Sequence, residues 1–211
     1  MKNTILIVVF NYSNCLNNLE FIKSLYEKYF KKIIFYSDIQ KSSNNYNEVN
    51  FIDIERGYYT HKIFNHFYKK YKSLLDDSDG LFYTMDDNIL NLNILNLIDN
   101  KKIIYYYNDI HELSHYSGWW WDKPCGKKAI NNLLKDNEFQ KYNIIKFSGA
   151  FSDWFYLPKQ YLTHDLFNLF ELFGKHNVFL ELAIPSVINN IEKNKENYTC
   201  FTDEVLWKDR Y

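Results

Sequence analysis

Cysteine is scarce in this chain. Its 211 residues contain three, Cys15, Cys125 and Cys200, too few and too scattered for a disulfide framework, and no CxxC pair offers a zinc site. A reducing compartment is the expectation, which places the protein in the cytoplasm. Proline (3) and glycine (6) are also rare, and no Pro/Gly/Ser-rich stretch marks a domain boundary, so residues 1–211 read as a single domain. The WKDRY ending is compatible with that domain belonging to a longer polypeptide. There is no excess of charge of one sign: 25 basic and 26 acidic residues give a net −1, which excludes the electrostatic footprint of a nucleic-acid or anionic-membrane binder. Long apolar runs are missing too. The stretch Ile5–Phe10 is too short for a membrane span and no small-residue cleavage site follows it. GxSxG, GxxxxGK[ST] and GxGxxG are all absent, so hydrolase, P-loop and dinucleotide-binding chemistry lack their motifs.

What the chain does have is apolar mass, 46% hydrophobic residues with 19 Tyr and 17 Phe, enough for a substantial core. The abundance of Asn, Lys, Ile, Tyr and Phe is what an A/T-rich coding genome produces, so a single aromatic carries little information. The pattern alternates. A strand-like run at Thr4–Phe10 precedes a helical face of Asn18, Ile22, Leu25, Tyr26 and Tyr29. Strands follow at Lys32–Tyr36 and Val49–Ile54, then a helix with Ile63, Phe67, Tyr71 and Leu74 on one side, then a strand from Leu81. This β-α-β-β-α-β order predicts an α/β fold, a mixed and mostly parallel sheet flanked by helices. In the second half the pattern predicts strands at Ile103–Tyr107 and Asn143–Phe147, an apolar segment at Trp154–Leu157, and helices over Lys127–Leu134, Lys159–Phe173 and Val178–Glu192, with Pro185 restricting or kinking the last.

The most informative stretch is LFYTMDDN, Leu81–Asn88, where a buried strand ends in two carboxylates and a carboxamide. Open α/β sheets place ligands at the carboxyl ends of their strands. Adjacent hard oxygen ligands there suit Mg²⁺ or Mn²⁺, which binds through one or two carboxylates together with substrate phosphates. The competing reading is that Asp87 or Asn88 caps a helix over Ile89–Leu97.

The segments ILIVVFNYS, FYSD, GLFYTMDDNILN, SDWFYLPK and VFLELAIP together resemble the GT-A-fold glycosyltransferases, most closely the small glycosyltransferase domains of large DNA viruses. The likeness covers most of residues 4–190, and for a viral protein the compartment would be the host cytoplasm. It implies a divalent metal (Mn or Mg), a nucleotide-diphosphate sugar donor such as a UDP-sugar, and transfer to an acceptor hydroxyl on a glycan or glycoprotein. By the same resemblance Asn11 and Tyr12 would meet the nucleotide base, Asp38 the base or ribose, Asp86 the ribose, and Asp87 with Asn88 the metal. Asn88 stands where a third Asp is common in the family. As a carboxylate at a strand end, Asp38 can accept hydrogen bonds from ribose hydroxyls or a ring N–H, or it can be a solvated turn residue.

The long segment HELSHYSGWWWDKPCGKK is too aromatic for a linker. Trp119, Trp120 and Trp121 offer faces on which sugar C–H surfaces stack, with His111 beside acceptor or phosphate and Lys127 offsetting phosphate charge, although a Trp can equally plug the core. Two carboxylates compete for the general base of an inverting transfer. Asp153 follows a Gly-Ala turn at the expected active edge, and Glu181 lies in a wholly apolar segment where burial would suit a base. Outside this family the alternatives are a sugar nucleotidyltransferase, which lacks its Gly-rich basic loop here, and a non-catalytic carbohydrate-binding domain.

Overall fold

A computed structural model describes residues 1–39, 46–91, 93, 95, 99–105, 111–112, 124–144 and 146–199. Seven strands form one sheet: β1 (Thr4–Phe10), β2 (Lys32–Asp38), β3 (Val49–Ile52), β4 (Gly80–Met85), β5 (Ile103–Ile104), β8 (Trp154–Pro158) and β9 (Tyr198–Thr199), in the order β3-β2-β1-β4-β8-β5-β9. β1 to β4 are parallel, β8 runs antiparallel between β4 and β5, and β9 is parallel to β5. A separate ribbon pairs β6 (His111–Glu112) with β7 (Ser148–Gly149). The helices are α1 (Leu19–Tyr26), α2 (Lys62–Asp76), α3 (Pro124–Leu134), α4 (Asn137–Gln140), α5 (His164–Lys175) and α6 (Leu180–Ile191). The α/β class and the mixed, mostly parallel sheet are those the pattern predicts.

β1 explains the layering. All seven of its residues are buried, and alternate side chains leave opposite faces of the sheet. Ile5, Ile7 and Val9 join the larger core with Phe64 and Phe67 of α2, Phe170 of α5 and Ile184 of α6, whereas Leu6, Val8 and Phe10 pack against Leu19, Ile22 and Tyr26 of α1. Each such buried aliphatic contributes about 1.5–3 kcal/mol relative to exposure.

Three local expectations are corrected. The described residues 143, 144, 146 and 147 are not in a strand: Asn143 has φ 50°, a left-handed conformation that breaks an extended run, and the pairing of β7 begins at Ser148. The helix expected from Lys159 starts later, after a 3-10 turn at Lys159–Tyr161, because the Thr163 hydroxyl accepts from the Leu166 N–H at 3.3 Å and caps α5. Residues 88–91 leave β4 without entering a helix, so neither Asp87 nor Asn88 is an N-cap. Among the described residues no helix is long and apolar enough to cross a membrane.

Candidate functional site

Parallel strands present their carboxyl ends on one edge, and here that edge collects Asn11, Asp38 and Asp86, the residues that close or follow β1, β2 and β4. Asp86 turns inward. Its N–H donates to the Val9 carbonyl at 3.0 Å, and its Oδ1 accepts from the Asn11 N–H at 3.3 Å. Burial pushes its carboxyl above the usual range and adjacent Asp87 adds to this, while the Asn11 N–H and the Cys15 thiol oppose the shift. The Cys15 thiol is pushed up to about 11, first by burial and then by Asp86. Asp87 turns outward, exposed, with its Oδ1 accepting from the Asn88 amide at 3.0 Å. Two adjacent carboxylates thus have different surroundings, one tied to β1 and one facing solvent.

Asp38 is 5% exposed and is spent on the backbone: Oδ1 accepts from the Ile54 N–H at 3.2 Å and Oδ2 from the Arg56 N–H at 2.8 Å. Those bonds hold a loop in which Glu55, Arg56 and Gly57 have φ of 46°, 58° and 89°. Such a run is costly for non-glycine residues and persists only where its surroundings over-determine it. Gly57 is required there for a second reason, because a Cβ would lie 2.4 Å from the Asn11 Oδ1. Among the described residues that buried oxygen has no hydrogen-bond partner, and the Asn11 Nδ2 donates to the Met85 sulfur at 3.4 Å. The ends of β1, β2 and β4 are therefore locked together through one loop.

The two candidate bases come from the other side. The Asp153 carbonyl accepts from the Met85 N–H at 3.1 Å, which places Asp153 across the ladder from the residue before Asp86. Asp153, Asp87 and Asp86 together push the buried Tyr83 hydroxyl further up, after the dominant effect of its burial. Glu181 is 8% exposed in the first turn of α6. Pro185 sits four residues on and has no N–H, so the Glu181 carbonyl lacks its helical partner. It accepts from the Ala150 N–H at 3.0 Å instead. The proline therefore creates the tie between α6 and the turn that carries Asp153. That turn is further held by a buried chain in which the Tyr105 hydroxyl meets Ser152 Oγ at 2.9 Å and Ser152 donates to the Ala150 carbonyl at 3.0 Å. Burial first, then the charges of Glu181 and Asp153, raise the Tyr105 hydroxyl well above its usual value.

Hydrogen bonds and close packing thus link the segments that carry Asn11, Asp38, Asp86, Asp87, Asn88, Asp153 and Glu181. Tyr12 is 46% exposed beside them, and Lys127 is exposed on α3. His111 is described only through its backbone pairing with Gly149. Trp119, Trp120 and Trp121 lie outside the described residues. Sequence reasoning missed the Cys15–Asp86 contact, the Gly57 interlock and the Tyr105–Ser152 chain. Gly57 carried a signal, since it closes the strand exit IERG in a chain with six glycines. The other two had none.

Comparison with protein-family models, with curated proteins and with solved structures finds no match for this chain.

For a cation the donor set is open-sided. Among the described residues no group of three or more His, Cys, Asp or Glu can hold a metal ion by itself. With Asp86 turned toward β1, the exposed Asp87 carboxylate and the neighbouring Asn88 are the residues that could meet Mg²⁺ or Mn²⁺, which binds through one or two carboxylates when phosphate oxygens and waters complete the shell. The residues fit that kind of site and not a closed protein cage.

Proposed function

We propose that this chain is a metal-dependent GT-A-like glycosyltransferase that moves a sugar from a nucleotide-diphosphate donor, a UDP-sugar in the first instance, to a hydroxyl of a glycan or glycoprotein acceptor. The observation that carries the reading is the gathering of Asp86, Asp87 and Asp153 at the carboxyl edge of the sheet, joined there by the Met85–Asp153 hydrogen bond. The likeness of five sequence segments to that family supports it independently.

In this reading Asp87, with Asn88 beside it, would hold the metal that binds the donor diphosphate, and Asp86 is the inward carboxylate that joins this loop to β1. Once bound there, Mn²⁺ or Mg²⁺ would supply Lewis-acid stabilisation of the departing nucleoside diphosphate. The loop fixed by Asp38 and Gly57 shapes the nucleotide side of the cleft beside Asn11 and Tyr12. Asp153 takes the proton from the acceptor hydroxyl as its oxygen bonds to the anomeric carbon and the bond from that carbon to the phosphate oxygen breaks, with inversion. Glu181 anchors the Asp153 turn through its carbonyl and is the competing base.

The test is calorimetric. UDP should bind wild type more tightly with Mn²⁺ than without, and Asp87→Ala should abolish the metal-dependent part. Equal metal dependence in both proteins refutes the assignment of Asp87. Absence of free nucleoside diphosphate from every nucleotide sugar, with and without acceptors, refutes the transferase.

A further inference from the structure

A groove of about 280 Å³ opens between the residues that follow β3, helix α3 and the α5–α6 connection. One wall is aromatic: Tyr58, Tyr59 and Phe179, with the Tyr58 and Phe179 rings 6.0 Å apart and tilted by 55°. Tyr58 is 43% exposed. The opposite wall carries Lys128 and Asn132, and Asn177 closes one end, all three solvent-exposed.

The groove and the candidate site are built on the same two segments, the loop after β3 and the start of α6. Tyr58 follows Gly57, which is packed against Asn11, and the Tyr58 carbonyl accepts from the Leu180 N–H at 2.9 Å, one residue before Glu181. Tyr58 therefore ties the loop that packs against Asn11 to the first turn of α6. The aromatic wall is also preorganised. The Tyr58 and Tyr59 N–H groups donate to the Glu55 and Ile54 carbonyls at 3.3 and 3.1 Å, and Asp38 holds the loop before them. A ring mounted on a locked backbone loses little freedom when a ligand arrives.

The lining chemistry narrows the occupant. The Lys62 ammonium sits 4.6 Å over the Tyr59 ring, and the His176 ring at the groove margin is tied to Asp136 at 2.8 Å, so neither is arranged as a phosphate clamp. What is presented is one lysine, two carboxamides and exposed aromatic surface. Such a mixture suits a ring with C–H faces on one side and hydroxyls on the other. The volume is at the lower limit of the ~300–1,000 Å³ usual for ligand pockets, the size of a single sugar ring and too small for a nucleotide sugar. We infer that this groove is the acceptor subsite and that it takes the terminal pyranose of a neutral glycan, an inference that rests on the transferase reading.

Cys125 is an exposed thiol within the groove and provides a direct probe. The intact chain is treated with iodoacetamide, and modification of Cys125 is followed by peptide mass spectrometry in the presence of methyl glycosides of glucose, galactose, mannose and N-acetylglucosamine. At about ten times its Kd, a glycoside that fills the groove should slow labelling roughly tenfold by occupancy. Tyr58→Phe should retain that protection and Tyr58→Ala should lose it. Absence of protection by any of the four glycosides, or equal protection in Tyr58→Ala, overturns the assignment of the groove while leaving nucleotide-sugar turnover to be judged on its own assay. Protection in a chain that neither binds UDP with Mn²⁺ nor consumes any nucleotide sugar overturns the acceptor role.

Discussion

Replacing His61 with leucine should remove a discrete part of the acid sensitivity of this protein. His61 is 0% exposed, and neither ring nitrogen has a hydrogen-bond partner among the described residues. Burial, with a smaller contribution from neighbouring Lys62, pushes its pKa down to about 3, so the folded protein holds the ring neutral. In the unfolded chain the same ring titrates near ~6.5. Between these values the unfolded state binds one proton more than the folded state, so stability falls as pH is lowered through 6.5 and continues to fall toward 3. The slope approaches ~1.4 kcal/mol per pH unit, and integration from pH 7 to pH 5 amounts to about 2 kcal/mol. For a domain whose whole stability is typically ~5–15 kcal/mol, that is a visible loss. Leucine fills a similar volume and has no nitrogen to leave unpaired, so His61→Leu should be near neutral or stabilising at pH 7. Urea unfolding at pH 7, 6 and 5 measures both proteins, and other titrating groups such as His66 cancel in the comparison. If wild type and His61→Leu lose the same free energy between pH 7 and pH 5, the buried neutral histidine is not the source and the reasoning fails.

Other perturbations separate the parts of the site. Gly57→Ala places a Cβ 2.4 Å from the Asn11 Oδ1 on a residue with φ 89°, so it should cost about 1–3 kcal/mol in urea unfolding and weaken UDP binding; wild-type values for both would show that the loop tolerates a side chain. Asp153→Asn should keep UDP binding and lower turnover roughly 10²–10⁴-fold, whereas loss of transfer in Glu181→Gln with a near-normal Asp153→Asn would assign the base to Glu181. Lys175 and then His176 hold the Asp136 carboxyl well below the usual range while its side chain also caps α4, so its contribution is full above pH ~3.9 and lost as pH falls toward the folded value. Asp136→Ala should therefore cost about 1 kcal/mol or more at pH 7, and the gap between the two proteins should narrow below pH 4; a gap that stays constant down to pH 2.5 would contradict the charge pairing.

The alternating order of strands and helices in the first half was legible because it depends on local periodicity: the burial of β1, the amphipathic face of α2 and the abrupt stop of β4 at Asp86 are each properties of fewer than about twenty consecutive residues. The position of the acidic pair at the sheet edge followed from the same periodicity, since a parallel strand that ends in carboxylates delivers them where ligands bind. Direction and partnership were not legible. Trp154–Leu157 reads as an apolar segment, and only the tertiary structure makes it the antiparallel β8 and so sets Asp153 against Met85. Asp38 reads equally well as a ligand or a turn residue, and its partners Ile54 and Arg56 lie 16 and 18 residues away. Pro185 was visible as an interruption of a helix, but that it frees the Glu181 carbonyl for Ala150, 31 residues earlier in the chain, depends on which segment packs against α6. Local pattern determines what a segment buries, and long-range packing decides which polar groups then face one another, because hydrogen bonds across a sheet edge are chosen by strand order and register, which no short window encodes.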